Sequence, residues 1–312
     1  ADNLFIRVDI LRKHGDSIQL FEVKSKAYSE QDDGDLTTDA RITSEWLPYV
    51  RDVAFQKLVL LRAFPEKHLR TFLFLPDKNK PSPSSDLARK SFESSISRDI
   101  LLTETEQSSP IMQAIDTDHL CSQVFDDSYQ IENQSLDFNT YVDTLAEAYR
   151  ADRKFLPLLT TACLDCEFKI DKLSQLTGLK SGRVECWSEI LDWSETDFDR
   201  PLAFEINGLS KVKKKTLLDE RRLHIDQINE NDINPTTNDN PGLSLSQRQW
   251  MQVRKSIEGD NDSYFDRDGM HDEIATWQFP LHFIDFETCR PVIPFHAGSR
   301  PSSLIAFQFS LH

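Results

Sequence analysis

Asp9, Glu22 and Lys24 lie within residues 5–25 (FIRVDILRKHGDSIQLFEVKS), two acids and a base set into apolar surroundings. A few carboxylates with waters can hold a hard cation such as Mg²⁺, and such a cation polarises a phosphodiester while presenting a hydroxide nucleophile. An ammonium in the same patch could orient that water or neutralise charge developing on the phosphorane. The plainer account of the same spacing is a surface hairpin with a cross-strand ion pair.

The elements that must position these groups are legible around them. Runs 4–11 and 18–23 are rich in β-branched and large apolar residues, and Lys13-His14-Gly15-Asp16 between them is turn-like, so the segment predicts a β-hairpin. Glu22 and Lys24 are two apart in a strand and share a face, while Val23 is expected to point the other way, into the core. Its backbone carbonyl could add a metal ligand. Residues 46–64 (WLPYVRDVAFQKLVLLRAF) carry Val50, Val53, Ala54, Leu58 and Leu61 on or near one helical stripe. Gln56 sits in the middle, where an amide could bond a phosphate or a metal-bound water, or simply be solvated.

Taken in order, RVDIL, FEVKS and DVAFQ resemble the PD-(D/E)XK nucleases of the RecB type, which include the CRISPR-adaptation nucleases. The resemblance implies an α/β fold with a restriction-endonuclease-like mixed sheet flanked by helices. It implies that Asp9 and Glu22 bind Mg or Mn, that Lys24 serves the attacking water, and that Gln56 completes the site. Residues 70–75 (RTFLFL) would be the next core strand. Two members of the family pattern are missing or altered. The upstream helix with its His or Glu ligand would lie before Ala1, and the Tyr expected after the Gln falls at Leu60.

The cysteines form a second signal. There are five, Cys121, Cys163, Cys166, Cys186 and Cys289. An odd number, with no apolar signal peptide and no run able to cross a bilayer, predicts a reducing cytoplasm, no membrane and no disulfide framework. Cys163 and Cys166 form a CxxC pair and Cys186 follows in SGRVECW, a spacing at which thiolates can chelate one metal or cluster. Structural zinc and two buried thiols are alternatives on spacing alone. Iron–sulfur nucleases of the RecB type place one Cys before the nuclease core and three after it. The resemblance therefore implies an iron–sulfur site at Cys163, Cys166 and Cys186, with Cys121 as an outside candidate for the fourth ligand.

A third signal lies in 280–288 (PLHFIDFET), a buried-strand pattern that sets Asp285 and Glu287 two apart on one face. A DxE pair of this form opens RNase H-like exonucleases, where it binds metal with acids from later segments. The tail through PFHAGSRPSSLIAFQFSLH resembles the start of a domain of unknown function found in uncharacterised bacterial proteins. Members of that group combine a RecB-type nuclease, a CxxCEF…SGxxECW segment, a helical connector and FIDFET, and the resemblance spans most of the 312 residues. The chain opens on Ala1 and stops at His312 in mid-strand pattern, so it reads as a fragment whose second site is incomplete.

Composition bounds these readings. A hydrophobic share of 38% with 28% charged residues is an ordinary globular balance, and the net charge of −16 argues against a general nucleic-acid coat protein. Residues 1–80 hold 13 basic and 13 acidic side chains, so the excess falls on the remainder, with 23 basic against 39 acidic. A local basic groove for DNA is thus permitted, and the acidic surface could face a protein partner. Breakers suggest a nuclease core over 1–80, a helical extension with the cysteines over 81–195, a helical connector over 196–278 and the start of the RNase H-like domain over 279–312. Residues 29–43 (SEQDDGDLTTDARIT) read as a flexible acidic loop, 78–85 (KNKPSPSS) as a linker and 228–242 as an Asn/Asp/Pro-rich loop. Asp116-Thr117-Asp118-His119 reads as a solvated helix start, and Ser244 or Ser246 as the cap of a helix that follows. The dense basic run Lys211 to Lys215 (KVKKK) is a phosphate contact or a solvated helix face. No internal repeat, P-loop or dinucleotide fingerprint is present, which argues against a nucleotide-driven motor and a redox enzyme. The expectation is a metal-dependent DNA nuclease, with a decayed nucleic-acid-binding module and a zinc-stabilised interaction protein as competing classes.

Overall fold

A computed structural model describes residues 3–34, 36–94, 104–156, 158–170, 178–237 and 242–312. Asp35 in the acidic loop, 95–103 and 171–177 in the cysteine-bearing extension, and 238–241 in the Asn-rich loop lie outside the described residues. The chain forms two compact units, one of residues 1–154 with 282–312 and one of 155–281.

The first unit is a mixed α/β structure. Strands β1 (Ile10–His14) and β2 (Ser17–Val23) form the expected hairpin, but the first strand starts later than its apolar run because residues 4–8 lie outside the ladder. The turn is Gly15-Asp16, with Gly15 at φ 57°, a conformation that glycine adopts without a Cβ clash. After β2 come a short helix α1 (Glu30–Asp33) and a small ribbon of β3 (Thr37–Thr38) and β4 (Arg41–Ile42). The acidic loop is therefore more ordered than its composition suggested, because Leu36 and Ser29 are buried within it.

Helix α2 (Leu47–Ala63) matches the expected periodicity; Pro48 lies in its first turn, where no intrahelical N–H bond is lost. It buries Val50, Val53, Ala54, Leu58, Val59 and Leu60, while Leu61 is only half-buried. Strand β5 (His68–Pro76) extends the expected 70–75 run at both ends and pairs in parallel with β2, so α2 is the crossover between them. Helices α3 (Leu87–Ser94) and α4 (Glu104–Ser108) precede β6 (Met112–Asp116), which closes the sheet in the order β1-β2-β5-β6. Helix α5 (Asp118–Asp126) packs on α2, followed by the hairpin β7 (Tyr129–Ile131) and β8 (Gln134–Leu136) and by α6 (Phe138–Arg150). Leu20, Trp46, Val53, Leu73 and Leu120 are among the side chains at the centre of this core. The start of α5 is only partly solvated: His119 is exposed, but its neighbours are engaged by the core. Asp118 accepts from Lys57 Nζ at 2.9 Å and from the Thr71 backbone N–H at 3.1 Å, and Thr117 is buried.

The first unit passes the boundary that the Pro/Ser stretch suggested, because β6 and α5 complete its core. Ser82 in that stretch is itself buried; its N–H donates to the Ser299 carbonyl at 2.7 Å and its carbonyl accepts from the Gly298 N–H at 2.8 Å.

The second unit runs continuously through residue 195, where the sequence suggested a change of segment. Its described residues include 3₁₀ turns (Thr161–Asp165, Ala203–Glu205 and Ile225–Gln227) and helices α7 (Gly182–Leu191), α8 (Glu195–Asp199), α9 (Lys211–Asp219), α10 (Glu230–Ile233), α11 (Leu245–Glu258) and α12 (Arg267–Ala275). Ser244 caps α11, its hydroxyl accepting from Gln247 N–H at 3.1 Å. Trp187, Ala203, Leu223 and Val253 lie at the centre of its apolar core.

Strands β9 (Ile284–Cys289) and β10 (Ile305–Leu311) form a two-stranded antiparallel ribbon. The buried-strand expectation for 280–288 is corrected here: Ile284 to Thr288 are all exposed, because a two-stranded ribbon leaves its faces uncovered.

Candidate functional site

Ile18, Leu20 and Glu22 alternate onto the buried face of β2, which α2 covers. The orientation expected for Val23 is thereby reversed: Val23 is on the exposed side, 37% accessible, and Glu22 lies at the helix-facing end of the strand, 6% accessible. Asp9 lies one residue before β1, just beyond the ladder that pairs Ile10 with Phe21, and is exposed. Asp9 Oδ2 accepts the Val23 N–H at 2.9 Å, which anchors the acid at the strand end.

Around Glu22 the sequence-derived residues converge. Lys24 Nζ donates to Glu22 Oε1 at 2.5 Å, and Gln56 Nε2 on α2 donates to Glu22 Oε2 at 2.6 Å. Asp52, one helical turn before Gln56, accepts from Lys24 Nζ at 2.7 Å and from Gln56 Nε2 at 3.2 Å. Asp52 escaped the sequence reading, although its spacing from Gln56 puts the two on one helical face. Tyr49 was missed as well. It lies three residues before Asp52 with its ring centroid 6.0 Å from Lys24 Nζ. Leu60, where the family pattern calls for a Tyr, is buried in the core instead.

The electrostatics follow from this packing. Burial works against the charge of Lys24, but its hydrogen bonds to Asp52 and Glu22 and their negative charges outweigh it, so the ammonium holds its proton more tightly than usual. Burial likewise raises the Asp52 carboxyl, while the bonds from Lys24 and Gln56 outweigh that effect and hold it below the ordinary range.

The donor set suits a hard cation. Glu22, Asp9 and the Val23 carbonyl are all oxygen donors, and Mg²⁺ is typically bound through one or two carboxylates with waters completing its shell. Each Glu22 oxygen keeps lone-pair capacity beyond its one hydrogen bond. Gln56 Oε1 is buried without a hydrogen-bond partner, an acceptor that a water or substrate donor in the site would satisfy.

The cysteines are arranged differently. Cys163 and Cys186 pack against the second unit's core, and the Cys163 thiol lies 3.4 Å from the Thr160 N–H and 3.7 Å from the Leu158 carbonyl. Among the described residues, those around Glu22 included, no three His, Cys, Asp or Glu side chains gather into a group that could hold a metal ion. Cys121 is buried in the first unit's core with its thiol 3.5 Å from the Thr71 hydroxyl, and burial pushes that thiol up. Asp285 and Glu287 lie on the exposed ribbon opposite Ser310 and Gln308, with no third acid gathered beside them among the described residues.

Residues 282–312 match a family described as a domain of unknown function (DUF2779). No curated protein and no solved structure matches the chain. No helix among the described residues is long and apolar enough to cross a membrane.

Proposed function

We propose that the first unit is a metal-dependent DNA nuclease that hydrolyses phosphodiester bonds, with a restriction-endonuclease-like core. The convergence of Glu22, Lys24, Asp52 and Gln56 at the end of β2, with Asp9 across the hairpin, is the observation that carries this reading. A bound Mg²⁺ or Mn²⁺ would supply charge stabilisation on the phosphodiester and a more acidic water. Glu22 and Asp9 would hold the ion, with the Val23 carbonyl as a further oxygen. Lys24, kept protonated by its two acids, would stabilise the negative charge that builds on the phosphoryl oxygens in the transition state. Gln56 fixes the Glu22 carboxylate through its amide N–H and offers Oε1 to the attacking water. Asp52 holds Lys24 together with Glu22 and acts as a positioning residue.

The finer reading of the tail, as the start of an RNase H-like domain, is supported by the DxE pair on β9. No catalytic step is assigned to it. An iron–sulfur or zinc site at Cys163, Cys166 and Cys186 is proposed from the CxxC and ECW spacing.

Cleavage of end-labelled single- and double-stranded DNA in Mn²⁺ tests the nuclease reading, with Lys24→Ala as the variant. The expected result is metal-dependent cutting that falls at least about a hundredfold in the variant, the scale for removing one electrostatic stabiliser. An undiminished rate in folded Lys24→Ala would overturn the assignment. Binding of DNA without cutting by either protein would favour the nucleic-acid-binding module.

A further inference from the structure

Lys169, Arg183 and Lys214, none of them used by the proposed chemistry, line one cleft of about 100 Å³ in the second unit. Arg183 stands in the first turn of α7, with its guanidinium carbon 4.8 Å from the ring centroid of the buried Trp187. Its Nε is buried and has no hydrogen-bond partner. Burial pulls the Arg183 pKa down, against the opposing charges of Glu205 and Cys166.

The basic run on α9 is sorted by this packing. Lys213 Nζ donates to the Ile233 carbonyl at 2.8 Å, and Lys215 pairs with Asp219 at 2.5 Å, while Lys214 lines the cleft. Among the described residues no ion pair involves Lys169, Arg183 or Lys214. Asp165 and Glu205 also line the cleft, but Glu205 Oε2 already accepts the Leu202 N–H at 3.2 Å.

A guanidinium carries five N–H donors in a fork that fits an oxyanion, and leaving one buried without an acceptor is unfavourable. A single water needs only about 10–15 Å³ of such space, so the cleft has room for a tetrahedral oxyanion. Three cations against the two carboxylates of Asp165 and Glu205 leave the recess net positive, which favours phosphate over a neutral polar ligand. We propose that this cleft binds a phosphate group through Arg183, Lys169 and Lys214. The site shares no residue with the nuclease candidate, and the two stand or fall separately.

Inorganic phosphate, titrated into the full chain in EDTA at constant ionic strength and followed by ³¹P NMR line broadening, tests this directly. Binding is expected to weaken about tenfold or more in Lys214→Gln and Arg183→Gln, the loss typical of one charged hydrogen bond, and to be unchanged in Lys215→Gln. Should Arg183→Gln not fold, as judged by circular dichroism, Lys214→Gln decides. A 5′-phosphorylated oligothymidylate and its unphosphorylated form, used as competitors, distinguish the source. Competition by the phosphorylated strand alone identifies a strand end, competition by both identifies the strand's internal phosphates, and competition by neither identifies a free phosphate or small ester. Phosphate binding that is absent, or equal in the wild type and Lys214→Gln, would overturn the proposal.

Discussion

The side-chain amide of Gln56 donates to Glu22 Oε2 at 2.6 Å, joining the crossover helix to the end of the strand it follows. Because Lys24 holds the other oxygen, the Glu22 carboxylate is fixed at both ends although it is nearly inaccessible to water. A carboxylate buried in this way must be paired and hydrogen-bonded, and Lys24 and Gln56 are the residues that satisfy it.

The oxygen donors give a direct expectation for metal binding. Mn²⁺ at about a hundredfold excess over its Kd should stabilise the chain by about 2.7 kcal/mol. Glu22→Gln and Asp9→Asn should each abolish that gain, the latter while still accepting the Val23 N–H. Thermal unfolding with and without Mn²⁺ reads the difference, and an equal shift in all three proteins would exclude these ligands.

The Lys24 to Asp52 pair makes stability depend on pH at both extremes. The Asp52 carboxyl is held below its ordinary 3.8, so its contribution is present above that value and is lost as pH falls through the lower folded value. The Lys24 contribution is complete below 10.5 and is lost as pH rises through its raised folded value. Since both groups are partly exposed, Asp52→Asn should cost no more than about 1 kcal/mol at pH 7. Urea unfolding should show that cost vanish well below pH 3.8, where the native carboxyl is also neutral; a cost that persists there would mean the loss is not one of charge.

His224 sets a separate dependence in the second unit. Its ring stacks on Trp193 with centroids 4.6 Å apart, and both ring nitrogens are buried without a hydrogen-bond partner. Burial depresses its pKa below 6.5, helped by the charge of Arg200 and opposed by Asp226 and Asp197. The unfolded chain therefore takes up a proton first, and stability should decline as pH falls below 6.5 toward the folded value. Tryptophan fluorescence during thermal unfolding at pH 8 and pH 5.5 should reveal this loss, and His224→Phe should remove much of it.

Thiol labelling separates the cysteines. Cys121 is fully buried and its thiol is raised by burial, so it should react only when the first unit unfolds. Cys163, Cys166 and Cys289 are partly exposed and should label in folded protein stripped of metal. Protection of Cys163, Cys166 and Cys186 after anaerobic preparation, with iron or zinc found by elemental analysis, would support the proposed metal site. Full labelling of Cys163 and Cys166 in folded protein prepared anaerobically, with neither iron nor zinc found, would count against it.

Local sequence determined the hairpin, the crossover helix and the strand after it, because strand and helix periodicities and the Gly15 turn act over a few neighbouring residues. It also determined the types of Asp9, Glu22, Lys24 and Gln56, and hence the chemistry open to them. Tertiary packing decided the rest. Which side of β2 faces α2 is a matter of what covers the sheet, and that choice buried Glu22 and turned Val23 outward. Asp52 joined the site only because the parallel pairing of β2 with β5 carries α2 across the strand end. The extent of the first unit was hidden for the same reason: β6 pairs with β5 from beyond a Pro/Ser stretch, and pairing between distant segments leaves no local mark in sequence. Among the lysines of KVKKK, identical in type and adjacent in sequence, only the packing of α9 against its neighbours decided that Lys214 would line the cleft with Lys169 and Arg183.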